Sequence, residues 1–161
     1  MADMLVKLYE LPPLSPALAE QQAAGVAVRR AMPAEREFVL KWVADNFEAH
    51  WLGECTVAFA RQPVSCFIAV EAGQVVGFAC HDATCRNFFG PTGVSPSHRG
   101  RGIGKALLLA CLHGMAAQGY AYAIIGGVGP VEFYARTVGA IEIPDSTPGI
   151  YGGLLEAPAS N

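Results

Sequence analysis

The sequence contains no apolar run as long as the ~18 residues that a membrane-spanning helix requires. Its first ten residues, MADMLVKLYE, lack the basic region and the long apolar core of a secretory signal peptide. Charged residues make up only 16% of the chain and the formal net charge is −3, so nothing indicates a broad basic surface for nucleic acid. We therefore expect a cytoplasmic protein that binds neither membrane nor nucleic acid.

The cysteines form no CxxC pair, and their number, five, is odd. Neither a zinc ribbon nor a disulfide framework is indicated, and we expect no bound metal. We interpret the cysteines as buried, reduced thiols, the usual form in the cytoplasm. They are Cys55, Cys66, Cys80, Cys85 and Cys111.

With 161 residues the chain is long enough for one domain and one well-buried core. MLVKLYEL, at residues 4–11, is predicted to be a short strand or an extended arm, and PPLSP to exclude regular structure through Pro16. Pro91 removes a ladder donor from the strand FFGPTGV, and Gly90 and Gly93 favour a bulge, so we expect that strand to be kinked. Further strands are predicted over residues 25–31, 65–70, 75–82, 88–94, 120–127, 140–143 and 149–155, and helices over residues 33–43, 48–61, 102–118 and 130–139. This order indicates an α+β, or mixed α/β, fold.

The stretch HRGRGIGK, at residues 98–105, stands directly before an apolar helical run. It is neither a Walker loop nor a Rossmann fingerprint, because its glycines stand at the wrong spacing for both. Glycines still allow successive backbone amides to converge on one point, and a helix start adds unpaired N–H groups and a partial positive charge. Arg99, Arg101 and Lys105 add full charges. The stretch predicts a site for a phosphate or a diphosphate; the alternative is a solvated turn with incidental cations.

The segment VSPSHRGRGIGKALL resembles the acyl-CoA-binding motif of the GNAT superfamily of N-acyltransferases, with Arg99, Gly102 and Gly104 in register. A second segment, VEFYARTVGA, is similar to a later helix of that family through Phe133, Tyr134 and Gly139. The likeness covers roughly residues 26–155. We divide the chain into an N-terminal arm or short strand, residues 1–25, packed on or linked to a single GNAT-like domain, residues 26–161.

The resemblance implies a central twisted mixed sheet flanked by helices, with two splayed parallel strands that form an acyl-CoA cleft. It implies acetyl-CoA or another acyl-CoA as co-substrate, with the pantetheine arm along one strand and the diphosphate on the amides of the glycine-rich loop. Phe133 would be a wall of the cofactor site, and GGVGP, at residues 126–130, lacks the asparagine that many members carry there. The implied cofactor-binding residues are Gly93, Val94, Ser95, Arg99, Gly100, Arg101, Gly102, Ile103, Gly104, Lys105 and Phe133.

The resemblance also implies direct attack of a substrate amine on the thioester, with the Val94 amide at the oxyanion and Tyr134 as the acid for the departing thiolate. The acceptor is expected to be a small-molecule primary amine, and STPGIY, at residues 146–151, could close over its pocket. The general base stays open among several side chains. The candidates are Glu48, His50, Glu54, His81 and Asp82.

Two other functions fit the same residues. One is a non-catalytic CoA-binding or CoA-sensing module on the same fold, which would bind CoA without turnover. The other is a nucleotide-phosphate site unrelated to CoA, for which ATP would compete with CoA at equal strength. Exposed strand edges would also allow a homodimer.

Overall fold

The computed structural model describes residues 1–159, which form a seven-stranded sheet with five α-helices. The strands are β1 (Met4–Lys7), β2 (Val26–Arg30), β3 (Cys66–Glu71), β4 (Gln74–His81), β5 (Phe88–Val94), β6 (Tyr122–Ile125) and β7 (Ile141–Glu142). The helices are α1 (Leu14–Ala23), α2 (Arg36–Asn46), α3 (Ala49–Phe59), α4 (Ile103–Ala117) and α5 (Val131–Val138). The predicted α+β class is therefore confirmed.

The strand order is β2-β3-β4-β5-β6-β1-β7, and only the central pair, β5 and β6, is parallel. Helix α4 supplies the crossover that a parallel pair requires. Strands β3 and β4 form an antiparallel hairpin. The irregularity expected in β5 is seen as a register shift in its pairing with β4, between Ala79 and His81.

Two apolar clusters cover the two faces of the sheet. Along β3 and β4, neighbouring residues alternate between them: Phe67 and Ala79 belong to one cluster, Ile68 and Phe78 to the other. This is the alternation that a pleated strand imposes. The first cluster is built on α4 and the second on α2 and α3, so the sheet is a layer between helices.

The N-terminal segment is more regular than its prolines indicated. The expectation of irregular structure through Pro16 is wrong, because α1 begins at Leu14. Pro16 lies in the first turn, where a missing N–H breaks no helical hydrogen bond. Strand β1 pairs with β6 and β7 inside the sheet, and α1 packs on α4.

The predicted closing strand at residues 149–155 is also wrong. Gly149–Tyr151 form a 3-10 turn, and both Gly149 and Gly153 have positive φ. These backbone conformations interrupt an extended strand. Within residues 1–159 no helix combines the length and the apolar character needed to cross a membrane.

The fold positions a cleft at its centre. Strands β5 and β6 pair only at Phe88 with Ile124 and Phe89 with Ile125. Strand β5 continues to Val94, whereas β6 ends at Ile125 and the chain turns away through glycines. The two parallel strands therefore part in the middle of the sheet.

Candidate active site

A cavity of about 1370 Å³ lies where β5 and β6 separate. Its walls come from β5, the start of α4, the turn after β6, α5, the α2–α3 corner and the C-terminal turn. The lining residues are Met1, Asn46, Phe47, Glu48, Trp51, Glu54, Thr84, Phe89, Gly90, Pro91, Thr92, Gly93, Val94, Arg99, Gly104, Leu108, Ile125, Gly126, Gly127, Val128, Gly129, Pro130, Phe133, Tyr134, Thr147, Pro148 and Tyr151.

The β5 edge offers backbone groups to this cavity. The Ser95 amide donates to the Val76 carbonyl at 2.8 Å, and Val94 stands opposite Gly77 in the antiparallel register. Because backbone groups alternate in direction along such a pair, those of Thr92 and Val94 point away from β4 and toward the cleft. Among Gly93, Val94 and Ser95, it is Val94 whose main chain faces the gap.

The glycine-rich loop ends in an uncapped helix start. Gly100 and Gly102 have φ of 76° and 80°, in the left-handed region that favours glycine. Gly102 is the N-cap of α4 and provides no side-chain cap, and the first α-helical bond runs from the Ala106 amide to the Gly102 carbonyl at 3.1 Å. The amides of the first turn are therefore available to an anion, and Gly104 brings this turn to the cavity wall.

The three cations of the loop point in different directions. Arg99 lines the cavity, and its Nε donates to the Val94 carbonyl at 3.3 Å. The Arg101 guanidinium instead pairs with Glu71 at 2.8 Å, and the same carboxylate contacts His98 at 2.6 Å. Lys105 is exposed in the first turn of α4. The positive side chain at the cavity wall is therefore that of Arg99.

Gln21 of α1 supports the loop from behind. Its side chain is 2% exposed, and its Nε2 donates to the Arg101 carbonyl at 2.9 Å. A Cβ at Gly102 would lie 3.0 Å from this Nε2, so a glycine permits the close approach. Sequence reasoning missed Gln21 because it treated the residues before it as irregular.

The cavity brings together half of the predicted site residues. Ile103 is buried in the core, so only its amide can serve an anion. The predicted site residues that line the cavity are Gly93, Val94, Arg99, Gly104, Phe133 and Tyr134. The predicted site residues that do not line it are Ser95, Gly100, Arg101, Gly102, Ile103 and Lys105.

Tyr134 lies inside the cleft on α5. It is 7% exposed, and its ring meets those of Phe133 and Phe89 edge-to-face, at centroid distances of 5.0 and 6.3 Å. Burial raises the pKa of Tyr134 from 10.0 to about 12, because the phenolate would lose its hydration. The hydroxyl is therefore protonated near neutral pH and can donate a hydrogen bond into the cavity.

The turn after β6 lines the cavity with backbone. Its Gly127 amide donates to the Asp3 carboxylate at 2.8 Å. Gly126 lies against Tyr151, where a Cβ would come within 1.9 Å of the Tyr151 Oη. The departure GGVGP thus makes room for the Tyr151 side chain, a role that sequence reasoning did not foresee.

The part of the cavity lining that comes from α3 and the corner before it combines aromatic rings and carboxylates, and we call it the lobe beside α3. Phe47 and Trp51 stack with centroids 4.9 Å apart and an interplanar angle of 26°. Glu48 and Glu54 line the same lobe, and Glu54 Oε1 accepts a hydrogen bond from Thr84 Oγ1 at 2.5 Å. Thr147, Pro148 and Tyr151 of the C-terminal turn line it too.

The remaining base candidates lie elsewhere. His81 is fully buried beside Phe67, and Asp82 accepts from the His81 ring, the Asn87 amide and the Tyr120 hydroxyl, each at 2.8 Å. His50 contacts the Leu155 carbonyl at 2.8 Å. None of these three lines the cavity, which leaves Glu48 and Glu54 as carboxylates within it.

Three thiols meet in the second apolar cluster. The Sγ atoms of Cys55, Cys66 and Cys80 lie within 4.8 Å of one another and are fully buried. This spacing is one that a thiophilic ion could bridge. They lie outside the cavity lining, and the expectation of no bound metal stays a prediction.

Comparison with known proteins agrees with this architecture. The acetyltransferase (GNAT) family model matches residues 30–140. The chain therefore belongs to the GNAT acetyltransferase family, and the resemblance inferred from its two motifs is confirmed. No curated protein sequence matches the chain.

Solved structures show the same fold. A GCN5-related glucosamine N-acetyltransferase region of a fungal multi-domain GH3 β-N-acetylglucosaminidase superposes with a TM-score of 0.72 at 17% identity, over 88% of this chain and 19% of that one. A GCN5-related N-acetyltransferase from Sphaerobacter thermophilus gives 0.62 at 22%, over 88% and 48%. A GNAT acetyltransferase from Brucella melitensis in complex with acetyl-CoA gives 0.51 at 20%, over 69% and 80%. The chain thus spans less than half of the first two proteins.

Proposed function

We propose that this protein transfers an acyl group, most simply acetyl, from acyl-CoA directly to the primary amine of a small acceptor. One observation carries the proposal: a single cavity contains an uncapped helix start with Arg99, a strand edge not paired by β6, and the protonated hydroxyl of Tyr134. The acetyl-CoA complex of the Brucella melitensis relative, which has the same fold, supports the choice of co-substrate.

The cavity walls fit such a co-substrate. The free amides of Ile103, Gly104 and Lys105 and the Arg99 guanidinium would hold the diphosphate. The edge of β5 that β6 leaves unpaired would lie along the pantetheine arm. Phe133, 37% exposed at the wall, would cover the arm from the α5 side.

The reaction needs one bond formed and one broken. The neutral amine nitrogen attacks the thioester carbonyl carbon, the C–N bond forms, the C–S bond breaks, and the thiolate leaves. The Val94 N–H would stabilise the oxyanion. The amine gives up a proton to a carboxylate, directly or through water, and Glu54 and Glu48 are the carboxylates in reach of the cavity.

Tyr134 would assist the leaving thiolate by a hydrogen bond rather than by complete proton transfer. A thiol ordinarily titrates near ~8.5, so full transfer from a phenol of pKa about 12 is uphill by roughly 5 kcal/mol. The same raised pKa keeps the donor hydrogen in place across the range in which amines are neutral enough to attack.

Calorimetry and thiol release test the proposal together. We expect CoA to bind wild type, and Arg99→Ala to weaken binding about tenfold or more, whereas Arg86→Ala, a change outside the cavity, leaves it unchanged. A thiol-release screen of acetyl-CoA with amino sugars, polyamines, amino acids and aminoglycosides then identifies an acceptor. Absence of CoA binding to wild type overturns the proposal.

A matched pair of variants tests the role of Tyr134. Tyr134→Phe should lower kcat about tenfold or more with little change in CoA affinity, because only the hydroxyl is lost. Tyr9→Phe changes an exposed tyrosine and is the control. Equal turnover of wild type and Tyr134→Phe would remove Tyr134 from the mechanism.

The same screen distinguishes an acyltransferase from a non-catalytic CoA-binding module, since such a module would bind CoA without thiol release for any amine.

A cytoplasmic location and a homodimer stay predictions. The five-residue edge strand β2 is the longer of the two sheet edges and is where a second copy would add.

A further inference from the structure

The side chains that line the cavity carry charges of both signs. Its charged side chains are Arg99 near the start of α4 and, in the lobe beside α3, Glu48 and Glu54. A diphosphate would use the positive charge of Arg99. The side-chain charge of the lining that is left for the second substrate is then negative, which disfavours anions and favours cations.

Two aromatic rings form a wall of the cavity beside β5. Phe47 lies directly against β5, where a Cβ on Gly93 would come within 2.4 Å of its Cζ. Trp51 stacks on Phe47 and also lines the cavity. Ring faces attract both ammonium groups and apolar ring surfaces. A substrate in the cavity would meet this wall beside Gly93 of β5.

Glu54 is held in place rather than free at the surface. Thr84 donates to its Oε1 at 2.5 Å, which fixes the carboxylate plane. Glu54 is therefore held through Oε1, and its Oε2 can serve a ligand.

From this arrangement, and resting on the proposed function, we infer that the acceptor is a small organic cation: a primary ammonium on a compact ring or apolar body, without a carboxylate or phosphate. Glu54 binds the ammonium, Phe47 and Trp51 cover the body, and Glu48 repels acidic substituents. Amines that carry an acidic group next to the reacting nitrogen are excluded by charge.

The two tryptophans of the chain make the lobe directly observable. Trp42→Phe leaves Trp51 as the single tryptophan, within the lobe itself. In this background, with CoA present, Trp51 fluorescence is titrated with 2-phenylethylamine and with phenylalanine, which differ only by a carboxylate. Glucosamine is a second cation with a ring body. We expect the two cations to bind at least tenfold more tightly than phenylalanine.

Substitutions then locate the recognition. Glu54→Gln should weaken binding of the cations about tenfold. The difference in affinity between 2-phenylethylamine and phenylalanine should therefore become smaller. Glu37→Gln, on the exposed surface of α2, should change nothing. Thr84→Val, which keeps the charge but removes the donor to Glu54, should give an intermediate loss, so the proposal does not depend on one variant folding.

The outcomes separate the two proposals. Phenylalanine binding as tightly as phenylethylamine, or no response of Trp51 to either cation, overturns the inference even when CoA binds normally. Loss of CoA binding in calorimetry overturns the proposed function instead. A cation preference that survives Glu54→Gln also overturns the role assigned to Glu54.

Discussion

The ring of Phe47 packs on the backbone of Gly93, so that a Cβ at residue 93 would lie 2.4 Å from Cζ and 2.6 Å from Cε1 of Phe47. Real Cβ contacts are never this short, so one of the two groups must move if the glycine is replaced. The contact joins β5 to the corner between α2 and α3. It therefore couples the strand that faces the cleft to the cavity wall that α3 provides, where we propose that the acceptor binds.

Gly93→Ala should displace the Phe47 ring and with it the stack on Trp51. We expect a rise in the acceptor KM of about fivefold or more and a modest loss of stability, about 1–3 kcal/mol, typical of overpacking. Steady-state kinetics and denaturant unfolding measure both. Gly93→Ala/Phe47→Leu should recover stability, whereas an additive loss in the double variant contradicts the steric explanation.

Gln21 should matter for CoA although it lies outside the cavity. Its hydrogen bond to the Arg101 carbonyl holds the glycine-rich loop against α1. Gln21→Ala should weaken CoA binding roughly three- to tenfold, in line with the loss of one positioning hydrogen bond of about 1 kcal/mol. Gln22→Ala changes the exposed neighbour and is the control. Equal CoA affinity of both variants would contradict a positioning role.

Alkaline pH should destabilise the fold through buried phenols. Folding raises the pKa of Tyr134 and of Tyr151 from 10.0 to about 12, because burial disfavours the phenolate. The folded state thus holds these protons more tightly than the unfolded chain does. Their contribution is complete below pH 10 and is lost as the pH rises from 10 to 12.

Denaturant unfolding at a series of pH values measures this loss. The slope above pH 10 should be shallower in Tyr134→Phe than in wild type, while Gln22→Ala, which removes no titratable group, keeps the wild-type slope. The same slope in wild type and Tyr134→Phe would show that Tyr134 ionises equally in the folded and unfolded chains.

Asp82 should be a structural residue and not the base. It accepts hydrogen bonds from His81, Asn87 and Tyr120 at the end of β4 and outside the cavity. Asp82→Ala should lower stability by about 2–4 kcal/mol, because three donors lose their acceptor. The kcat of the folded fraction should stay within about twofold of wild type, and a selective collapse of kcat in a stable variant would return Asp82 to the mechanism.

Thiol reactivity should separate one cysteine from the others. Cys85 is exposed, whereas Cys55, Cys66, Cys80 and Cys111 are buried. We expect a thiol reagent to modify one cysteine per native chain and all five after unfolding. Cys85→Ser should abolish the native reaction.

Metal analysis of the purified protein should give no stoichiometric ion, because a metal with three thiolates would place net negative charge in an apolar core.

Most helices and strands could be located from the sequence, because turn-forming residues mark their ends and apolar patterns mark their interiors. Gly119 and Gly139 follow the last turns of α4 and α5. In the predicted strands, apolar residues alternate with polar ones or form a continuous apolar run, as is typical of buried strands. The two failures come from proline and glycine. Pro16 fits a first helical turn as well as a loop, and the glycines near residue 150 allow a turn in place of an apolar strand.

The proposed acyl-CoA half of the site could be located from the sequence, whereas the proposed acceptor half could not. The first is encoded in a continuous motif, from Val94 to Lys105, whose backbone conformation glycine sets locally. The second is assembled from residues far apart in the chain. Phe47, Thr84 and Tyr151 carry no local signal, because their role depends on packing between α3, β5 and the C-terminal turn.

The two-residue pairing of β5 with β6 divides the sheet into two ribbons, one of four antiparallel strands and one of three. Outside that short contact, two chain segments link them: the one that contains α1, between β1 and β2, and the one that contains α4, between β5 and β6. A molecule lying in the gap would take the place of missing ladder partners and tie the ribbons into one continuous surface. Occupancy of the cleft should thus make the whole molecule more rigid, and amide hydrogen exchange should slow in the strands on both sides of the gap between β5 and β6.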